Sequence, residues 1–405
     1  MPNIINKIKR KFTEMLLSHW YPDVTVLGLR SRPITRGNKI QNLTDIFVNI
    51  TSVIIWFITK PVLKFLSIIT EIFFFTQKNS SLSNTFFYTK KKSSPTIIAI
   101  GNLIVGGAGK TPSTICLIKQ LKTMGITSAV ISRGYKGEID KKNKKSQFVE
   151  LISPSYAYEK FGDEPCLVAE TGVPVCVGNR ADSLQKINSA FPKIDLILLD
   201  DGLQQKKIMA HKKILVVDSR LAGNESLLPY GPLREKLPLV YKIDALILNL
   251  ISDELDKNTV FEKFKLDKKT PTGHLRTASI TWKNTNNKEI KTQAFRRELH
   301  QNYKKTKIKP LAVAGIAVPS RFFKILEKLK IDFEPLWLPN HDSNFAQNLS
   351  EQIYISERIV LMTEKDGVRI IYSGDKQMKK YNQLWILKLN LSLESNFINN
   401  IRDWI

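Results

Sequence analysis

The sequence predicts an α/β fold built on a mostly parallel, doubly wound sheet, and three observations support this prediction. Short runs of Ile, Leu and Val recur after residue 95, as in strands that are buried on both faces of a parallel sheet. Segments with helical periodicity separate these runs. The chain has 405 residues, enough for two domains and an appendage.

The first α/β segment opens with a strand at residues 96–100, followed by a helix at 113–124 that Gly125 ends. The charged segment 138–145 is expected to be a loop. Further strands are predicted at residues 128–131, 173–177, 194–199, 214–217 and 245–250.

A second α/β pattern occupies the C-terminal part of the chain. Residues 252–308 are polar, rich in Lys and Asn and weakly patterned, so the domain boundary is expected there. A helix is predicted at 319–329, with Pro319 in its first turn. Strands are predicted at 311–316, 333–338, 359–362 and 384–391.

Residues 46–75 are the most apolar stretch, with Pro61 near the middle and charges at Lys60, Lys64 and Glu71. As a helix, residues 46–59 would span ~21 Å, short of the ~30 Å hydrocarbon core of a bilayer. A kinked hairpin or helices lying in the membrane interface are therefore expected, with an ordinary buried helical pair as the alternative. Basic residues on both sides would meet an anionic leaflet. Residues 1–40 suggest no function.

The net charge is +25, because the chain has 62 Lys and Arg residues but only 37 Asp and Glu residues. This excess favours anionic partners, although a general bias toward Lys, Ile and Asn would also produce it. Cys116, Cys166 and Cys176 lie in apolar stretches without a C-x-x-C pair and are expected to be buried thiols. The scattered histidines argue against a zinc site.

A glycine-rich loop separates the first strand from the first helix and is typical of a phosphate-binding P-loop. Backbone N–H groups of such a loop surround phosphates, and the helix N-terminus adds positive potential. Lys110 would neutralise the β- and γ-phosphates of ATP, and Thr111 would bind Mg²⁺. The strict pattern has glycine where this chain has Ile104. The expected ATP-binding residues are Val105, Gly106, Gly107, Ala108, Gly109, Lys110 and Thr111.

Carboxylates supply the other candidate groups. Asp200 and Asp201 end an apolar strand, which suits Mg²⁺ coordination beside a P-loop. Asp163 and Glu164 stand in a Gly-Asp-Glu-Pro loop, where an acidic residue serves either as a catalytic base or as solvated surface. His341 lies in a polar loop, where a functional role competes with a structural one.

Eight motifs in order resemble one family, the tetraacyldisaccharide 4'-kinases of lipid A biosynthesis. The ordered set covers roughly residues 95–370 and is specific, and this family's P-loop carries the same departure at Ile104. The motifs are GNLIVGGAGKTP (101–112), SRGYKG (132–137), GDEP (162–165), DDGLQQ (200–205), LLPYGPLRE (227–235), AGIAVPSRF (314–322), LPNH (338–341) and TEKDGVR (363–369).

The resemblance implies transfer of the ATP γ-phosphate to the 4'-hydroxyl of a tetraacyldisaccharide 1-phosphate, an acylated disaccharide lipid. It implies an enzyme on the cytoplasmic face of the inner membrane, with ATP and Mg²⁺ as cofactors. We further expect a monomer that binds no nucleic acid. The implied architecture is an N-terminal extension with membrane-associated helices (1–92), a P-loop kinase domain (93–265) and a smaller C-terminal α/β domain (266–405).

The same resemblance assigns site residues. Asp163 would accept the sugar proton, and His341 would orient Asp163 across a cleft that closes between the domains. Asp200 and Asp201 would bind Mg²⁺ together with Thr111. The expected cleft residues are Arg133, Glu164, Gln205, Arg234 and Glu235. Two departures, Gln205 where the family has His and Asn340 where Asp is usual, change the local charge.

Two other classes of function remain open from the residues. A P-loop ATPase or GTPase switch would need Lys110, Thr111 and Asp200 but no lipid, although a guanine-reading N-K-x-D motif is absent from the sequence. A basic nucleic-acid-binding protein agrees with the charge, but the sequence has no recognition motif or aromatic platform of that class.

Overall fold

The computed structural model describes residues 12, 13, 15–21, 51, 54–71, 94–135, 137–141, 145–151, 157, 160–205, 207–239, 242–251, 255–286, 288–316, 318–338, 349, 358–367 and 383–405. The strands are β1 (Thr96–Gly101), β2 (Ser128–Ser132), β3 (Gln147–Phe148), β4 (Val175–Val177), β5 (Leu196–Asp200), β6 (Lys212–Val217), β7 (Ala245–Asn249), β8 (Thr272–Asn284), β9 (Glu289–Lys291), β10 (Leu311–Ala314), β11 (Glu334–Trp337), β12 (Val360–Thr363) and β13 (Leu384–Ser392). The helices are α1 (Lys110–Thr123), α2 (Glu138–Lys141), α3 (Asp163–Ala169), α4 (Arg180–Ala190), α5 (Lys257–Phe264), α6 (Thr292–Thr306), α7 (Pro319–Lys328) and α8 (Ser395–Arg402).

One continuous sheet joins these strands in the order β11-β10-β12-β13-β8-β7-β6-β1-β5-β2-β4-β3, with β9 beside β8. Most neighbours are parallel, which confirms the predicted α/β class. Strand β8 joins two halves of the sheet: its start pairs parallel with β7, and its remainder pairs antiparallel with β13. We call the strands β1–β7 and their helices the P-loop half, and residues 276–392 the C-terminal half.

The P-loop half has helices on both faces of its sheet. Successive side chains of a strand point to opposite faces, so Ile98 and Ile100 pack with α1 and α8, whereas Ile97 and Ala99 pack with α4 and α5. All six residues of β1 are buried, as its uninterrupted apolar sequence predicts. The three cysteines are also buried, and burial raises the pKa of the Cys116 and Cys166 thiols to about 12.

The C-terminal half has an aromatic core. The rings of Trp282 and Phe295 stack with centroids 4.1 Å apart, and Trp385 lies 5.0 Å from Phe295. Helix α6 buries only Phe295, and most residues of strand β8 are only partly buried or exposed. These sparse apolar anchors explain why residues 252–308 lack a clear pattern although they carry two helices and two strands.

The expected loop at residues 138–145 was wrong at its start, where α2 forms one helical turn. Ile139 is buried in the core of the P-loop half, and this tertiary contact outweighs the charged neighbours that suggested a loop.

Helical residues 15–20 and 54–71 precede the sheet. The second helix continues through Pro61, so residues 54–71 form one helix and not the two arms of a hairpin. A proline removes one backbone donor but can be accommodated with a local kink. Trp56 contacts Phe12 and His19, with ring centroids 5.9 and 5.3 Å away. In the part of the chain described above, no helix combines the length and apolarity needed to cross a bilayer.

Candidate functional site

The glycine-rich loop lies between β1 and α1, as its sequence predicts. Gly109 precedes α1 with a φ of 99°, a conformation that favours glycine. A Cβ atom at Gly109 would lie 2.2 Å from Nδ2 of Asn249, so only glycine fits this approach. Asn249 ends the parallel strand β7, and it contacts the loop from the carboxyl edge of the sheet.

Side-chain donors hold five consecutive carbonyl groups of the loop, those of residues 104–108. Asn102 donates from Nδ2 to the carbonyls of Ile104 (2.7 Å) and Gly106 (3.4 Å), and its Oδ1 accepts from Lys110 Nζ at 2.7 Å. The other three bonds run from Arg220 to Val105 (3.5 Å), from Arg321 to Gly107 (3.3 Å) and from Asn249 to Ala108 (3.0 Å). In a planar trans peptide the following N–H points away from the carbonyl. The bonds to the carbonyls of residues 105–108 therefore orient the amides of residues 106–109 for an anion on the opposite side, whereas the amide of Val105 donates within the protein.

The segment 226–234 pairs with the loop through its backbone. Val105 N donates to the carbonyl of Pro232 at 2.9 Å, and Arg234 N donates to the carbonyl of Leu103 at 2.8 Å. This pairing places Arg234 beside the carboxyl end of β5.

Asp201 follows β5 and is held by two cations. Arg234 Nη1 donates to both carboxylate oxygens at 2.8 and 2.9 Å, and Lys110 Nζ lies 3.3 Å from Oδ1. Burial alone would raise the pKa of Asp201, but Lys110 and Arg234 bring it below the ordinary value. Asp201 is therefore ionised, and its lone pairs already face side chains of the protein.

Asp200 is in a different environment, although it is the neighbouring residue. It is 3% exposed, its Oδ2 accepts a long bond of 3.5 Å from Ser132, and its Oδ1 is buried without a hydrogen-bond partner among the described residues. Burial, together with the negative charges of Glu164 and Asp201, raises the pKa of Asp200 to about 7. A buried oxygen with open lone pairs fits a cation, so Asp200 suits Mg²⁺ better than Asp201 does.

A preformed metal cage is absent from the described residues, which hold no cluster of three or more His, Cys, Asp or Glu side chains placed around one point. Thr111 is half-buried in the first turn of α1, beside Lys110.

Asp163 and Glu164 begin α3, beside the SRGYKG loop. Gly162 packs on this loop so closely that a Cβ there would lie 2.9 Å from the carbonyl of Tyr135. Asp163 is 3% exposed. Lys365 of the C-terminal half lies 3.3 Å from Oδ2 of Asp163 and 3.0 Å from Oε1 of Glu164. The GDEP and TEKDG motifs therefore meet across the two halves.

The remaining predicted residues fall in several places. Arg133 is exposed at the carboxyl end of β2. Glu235 lies near Lys213, where its charge opposes the effect of burial, which lowers the pKa of that lysine. Gln205 turns to its own loop, because its Nε2 donates to the carbonyl of Ile208 and its Oε1 accepts from Ile208 N at 2.9 Å. His341 and Asn340 lie outside the described residues.

Several site residues had no assigned role in the sequence. Asn102, Arg321 and Lys365 belong to motifs quoted above. Their place in these motifs was the only feature of the sequence that pointed to a function. Arg180 donates from Nη2 to the carbonyls of Asp200 and Asp201, both at 2.9 Å, and fixes the end of β5. Asn249 and Arg180 stand outside the motifs, and only the folded sheet brings them to the loop.

Comparisons with known proteins indicate one family. The family model for tetraacyldisaccharide-1-P 4'-kinase matches residues 59–405. A tetraacyldisaccharide 4'-kinase of Dechloromonas aromatica (strain RCB) is 34% identical over 275 residues, 67% of this chain and 74% of the relative. The enzyme of the same name from Janthinobacterium sp. (strain Marseille) is 31% identical over 309 residues, 75% and 81% of the two chains.

Solved structures include a similar fold. The crystal structure of LpxK from Aquifex aeolicus in complex with ATP has a TM-score of 0.55 and 25% sequence identity, covering 78% of this chain and 91% of that one. The resemblance recognised in the motifs is thus confirmed by sequence and by fold. Since the family model spans most of its length, the chain belongs to the tetraacyldisaccharide-1-P 4'-kinase family.

Proposed function

We propose that this protein transfers the γ-phosphoryl group of ATP to the 4'-hydroxyl of a tetraacyldisaccharide 1-phosphate at the cytoplasmic face of the inner membrane. The observation that carries the proposal is the edge of the sheet where the P-loop, Lys110 and the two aspartates at the end of β5 meet, with Glu164 near enough for its charge to act on Asp200. Family membership supplies the acceptor, since curated relatives carry the name tetraacyldisaccharide 4'-kinase.

The nucleotide half of the reaction rests on the P-loop. The carbonyls of Gly106, Gly107 and Ala108 face side-chain donors, so the amides of the same peptide units are oriented for the phosphates. Lys110 supplies positive charge from the first residue of α1, and Asn102 and Asp201 hold its ammonium group in place. Phosphoryl transfer depends mainly on such positioning and charge neutralisation.

Mg²⁺ bound by Asp200 and Thr111 would neutralise charge on the β- and γ-phosphates. In this arrangement Asp201 does not bind the metal ion but positions Lys110 and Arg234.

The acceptor half rests on Asp163. In the proposed step the 4'-oxygen of the sugar forms a bond to the γ-phosphorus, the bond from that phosphorus to the β-bridging oxygen breaks, and ADP leaves. The hydroxyl proton goes to the Asp163 carboxylate. Lys365 contacts Asp163 in the described structure, and His341 is assigned to the same carboxylate by the resemblance alone. Arg133, Glu164, Arg234 and Glu235 are proposed to line the cleft. Gln205 has a structural part in its own turn.

The membrane part of the proposal rests on helix 54–71. Ile54, Phe57, Ile58, Val62 and Phe65 recur at helical spacing, and each is more than half exposed. An exposed apolar row on a helix with nearby lysines is typical of an interfacial helix. Lys236, next to the P-loop-pairing segment, forms an ion pair with Glu71 and places this helix close to the site. Acyl chains could then remain in the bilayer while the sugar reaches Asp163.

The proposal keeps the division into a P-loop kinase domain and a C-terminal domain that close on the substrate as a monomer. Contacts across the two halves, such as that between Lys365 and Glu164, support closure as part of the catalytic cycle.

The test is transfer of labelled γ-phosphate from ATP to purified tetraacyldisaccharide 1-phosphate in detergent with Mg²⁺. Wild type should form a phosphorylated lipid, and Lys110→Met should lower kcat/KM by roughly 10³-fold, because it removes charge that is used in the transition state. Lys119→Met on the same helix is the matched control. ATP hydrolysis that is indifferent to the lipid would instead favour a switch ATPase, and salt-sensitive binding to DNA without phosphotransfer would favour a nucleic-acid-binding protein.

A further inference from the structure

Arg321 connects the C-terminal half to the P-loop. It lies in the first turn of α7, its Nη1 donates to the carbonyl of Gly107 at 3.3 Å, and its Nη2 lies 2.7 Å from Oδ2 of Asp218. The contact between Arg321 and Gly107 spans 214 positions of sequence. Among the four side chains that donate to the loop carbonyls described above, Arg321 alone comes from the C-terminal half.

Asp218 fixes the direction of Arg321. This carboxylate follows β6, is 1% exposed and also accepts from Nε and Nη2 of Arg220. Arg220 in turn donates to the carbonyl of Val105 at 3.5 Å. One buried carboxylate thus orients two guanidinium groups. Each guanidinium also donates a hydrogen bond to a carbonyl of the P-loop.

The contact with Gly107 has a geometric consequence for the loop. The carbonyl of Gly107 and the N–H of Ala108 belong to one planar peptide unit and point in opposite directions. A donor that holds the carbonyl therefore also fixes the direction of the Ala108 amide. Gly107 is exposed and a Cβ there would meet no atom within 4 Å, so local packing does not hold this peptide plane.

We propose that Arg321 is a positioning residue for the nucleotide, through which docking of the C-terminal half completes the phosphate-binding loop. The contact exists only while the two halves are docked, so nucleotide affinity and domain closure are coupled through this side chain. The inference rests on the proposed function, since it assumes that ATP phosphates bind the loop.

The test compares wild type with Arg321→Met and Arg321→Lys in the full-length protein. The probe is a fluorescent ATP analogue with Mg²⁺ and no lipid, and thermal unfolding is measured in parallel. Lys328→Met, which removes one positive charge from the exposed end of the same helix, is the matched control.

Arg321→Met should weaken binding of the analogue by about tenfold and raise KM for ATP more than it lowers kcat, as expected for loss of one charge-assisted hydrogen bond. Arg321→Lys keeps a cation for Asp218, but a lysine cannot reproduce the planar fork that reaches Asp218 and Gly107 together. We expect it to restore thermal stability and to leave nucleotide binding weak.

Nucleotide binding within twofold of wild type in Arg321→Met would overturn the inference. Full recovery of nucleotide affinity in Arg321→Lys would also overturn it, since the role would then be one of charge alone. Failure of wild type to bind the analogue would contradict the proposed function itself. Equal binding by wild type and all variants would contradict only the role of Arg321.

Discussion

Lys365 and Asp163 lie 3.3 Å apart, although one residue follows a strand of the C-terminal half and the other begins a helix of the P-loop half. The lysine Nζ also lies 3.0 Å from Glu164. The proposed base is therefore paired with a cation that comes from the opposite side of the cleft.

The first prediction concerns this pair. Lys365→Met should lower kcat for phosphotransfer by roughly 10- to 100-fold, because a carboxylate without its partner loses its productive orientation. KM for ATP should change little, because Lys365 contacts the base and not the P-loop. Steady-state kinetics with both substrates measure the two constants.

Lys388→Met is the control, because Lys388 faces Glu364 at 3.9 Å outside the Asp163 pair. Lys365→Arg should recover part of the rate. A normal kcat in Lys365→Met would contradict a positioning role for this lysine.

The second prediction separates the two neighbouring aspartates at the end of β5. Mg²⁺ at about 30 times its Kd should raise the free energy of unfolding of wild type by ~2 kcal/mol. Asp200→Asn should lose this gain, because an amide carries no negative charge and has an NH2 group in place of one carboxylate oxygen. Chemical denaturation with and without Mg²⁺ measures the effect.

The Mg²⁺ effect should also grow as pH rises through about 7, where Asp200 ionises. In Asp201→Asn the stabilisation by Mg²⁺ should persist. If Mg²⁺ stabilised Asp200→Asn but not Asp201→Asn, then Asp201 and not Asp200 would be the Mg²⁺ ligand.

The third prediction concerns stability and pH at Asp218. Burial alone would raise the pKa of Asp218, but Arg220 and Arg321 hold it well below its usual range. A lowered folded pKa contributes stability that is present above the unfolded pKa of about 4 and is lost as pH falls below it. Asp218→Asn should destabilise the protein by roughly 3 kcal/mol at neutral pH, because the buried Arg220 and the partly buried Arg321 lose their counter-charge.

The deficit of Asp218→Asn relative to wild type should be smaller at about pH 3 than at neutral pH, because the carboxyl group of the unfolded chain is mostly protonated at pH 3 while the folded carboxylate keeps its charge. Asp403→Asn, at an exposed carboxylate, is the control. An equal deficit at both pH values would show that the ion pairs of Asp218 are not the source of the effect.

The fourth prediction concerns helix 54–71. Phe57→Asp should reduce flotation with vesicles of phosphatidylethanolamine and phosphatidylglycerol by at least about tenfold, because a charge replaces an apolar side chain on the exposed row. Met209→Asp, at an exposed apolar residue of the loop before β6, is the matched control. Unchanged flotation of Phe57→Asp would indicate that another surface meets the membrane.

The sequence was sufficient to predict the central strands and the loop that follows β1. Strands β1 and β5 are buried on both faces, so their apolar runs are uninterrupted and their ends are visible as Gly101 and Asp200. The P-loop glycines are equally visible, because positive φ angles at Gly106 and Gly109 require that residue type.

Contacts between distant residues were not predictable from one sequence. The pairing of Arg321 with Gly107 depends on how the two halves pack. Tyr21 belongs to a segment without a recognisable pattern, yet it is 3% exposed, and the Arg220 guanidinium lies 5.6 Å from its ring centroid. The N-terminal segment is thus joined to the residues that hold the P-loop.

The most direct test of the account is phosphotransfer by wild type and by Asp163→Asn at saturating ATP. Since a general base contributes roughly 10²- to 10⁴-fold to such a reaction, Asp163→Asn should lose at least ~10²-fold in kcat while it binds ATP as wild type does. The control Asp403→Asn, at an exposed position, should leave the rate unchanged. A rate within about threefold of wild type in Asp163→Asn would contradict the assignment of the base and of the acceptor side of the cleft.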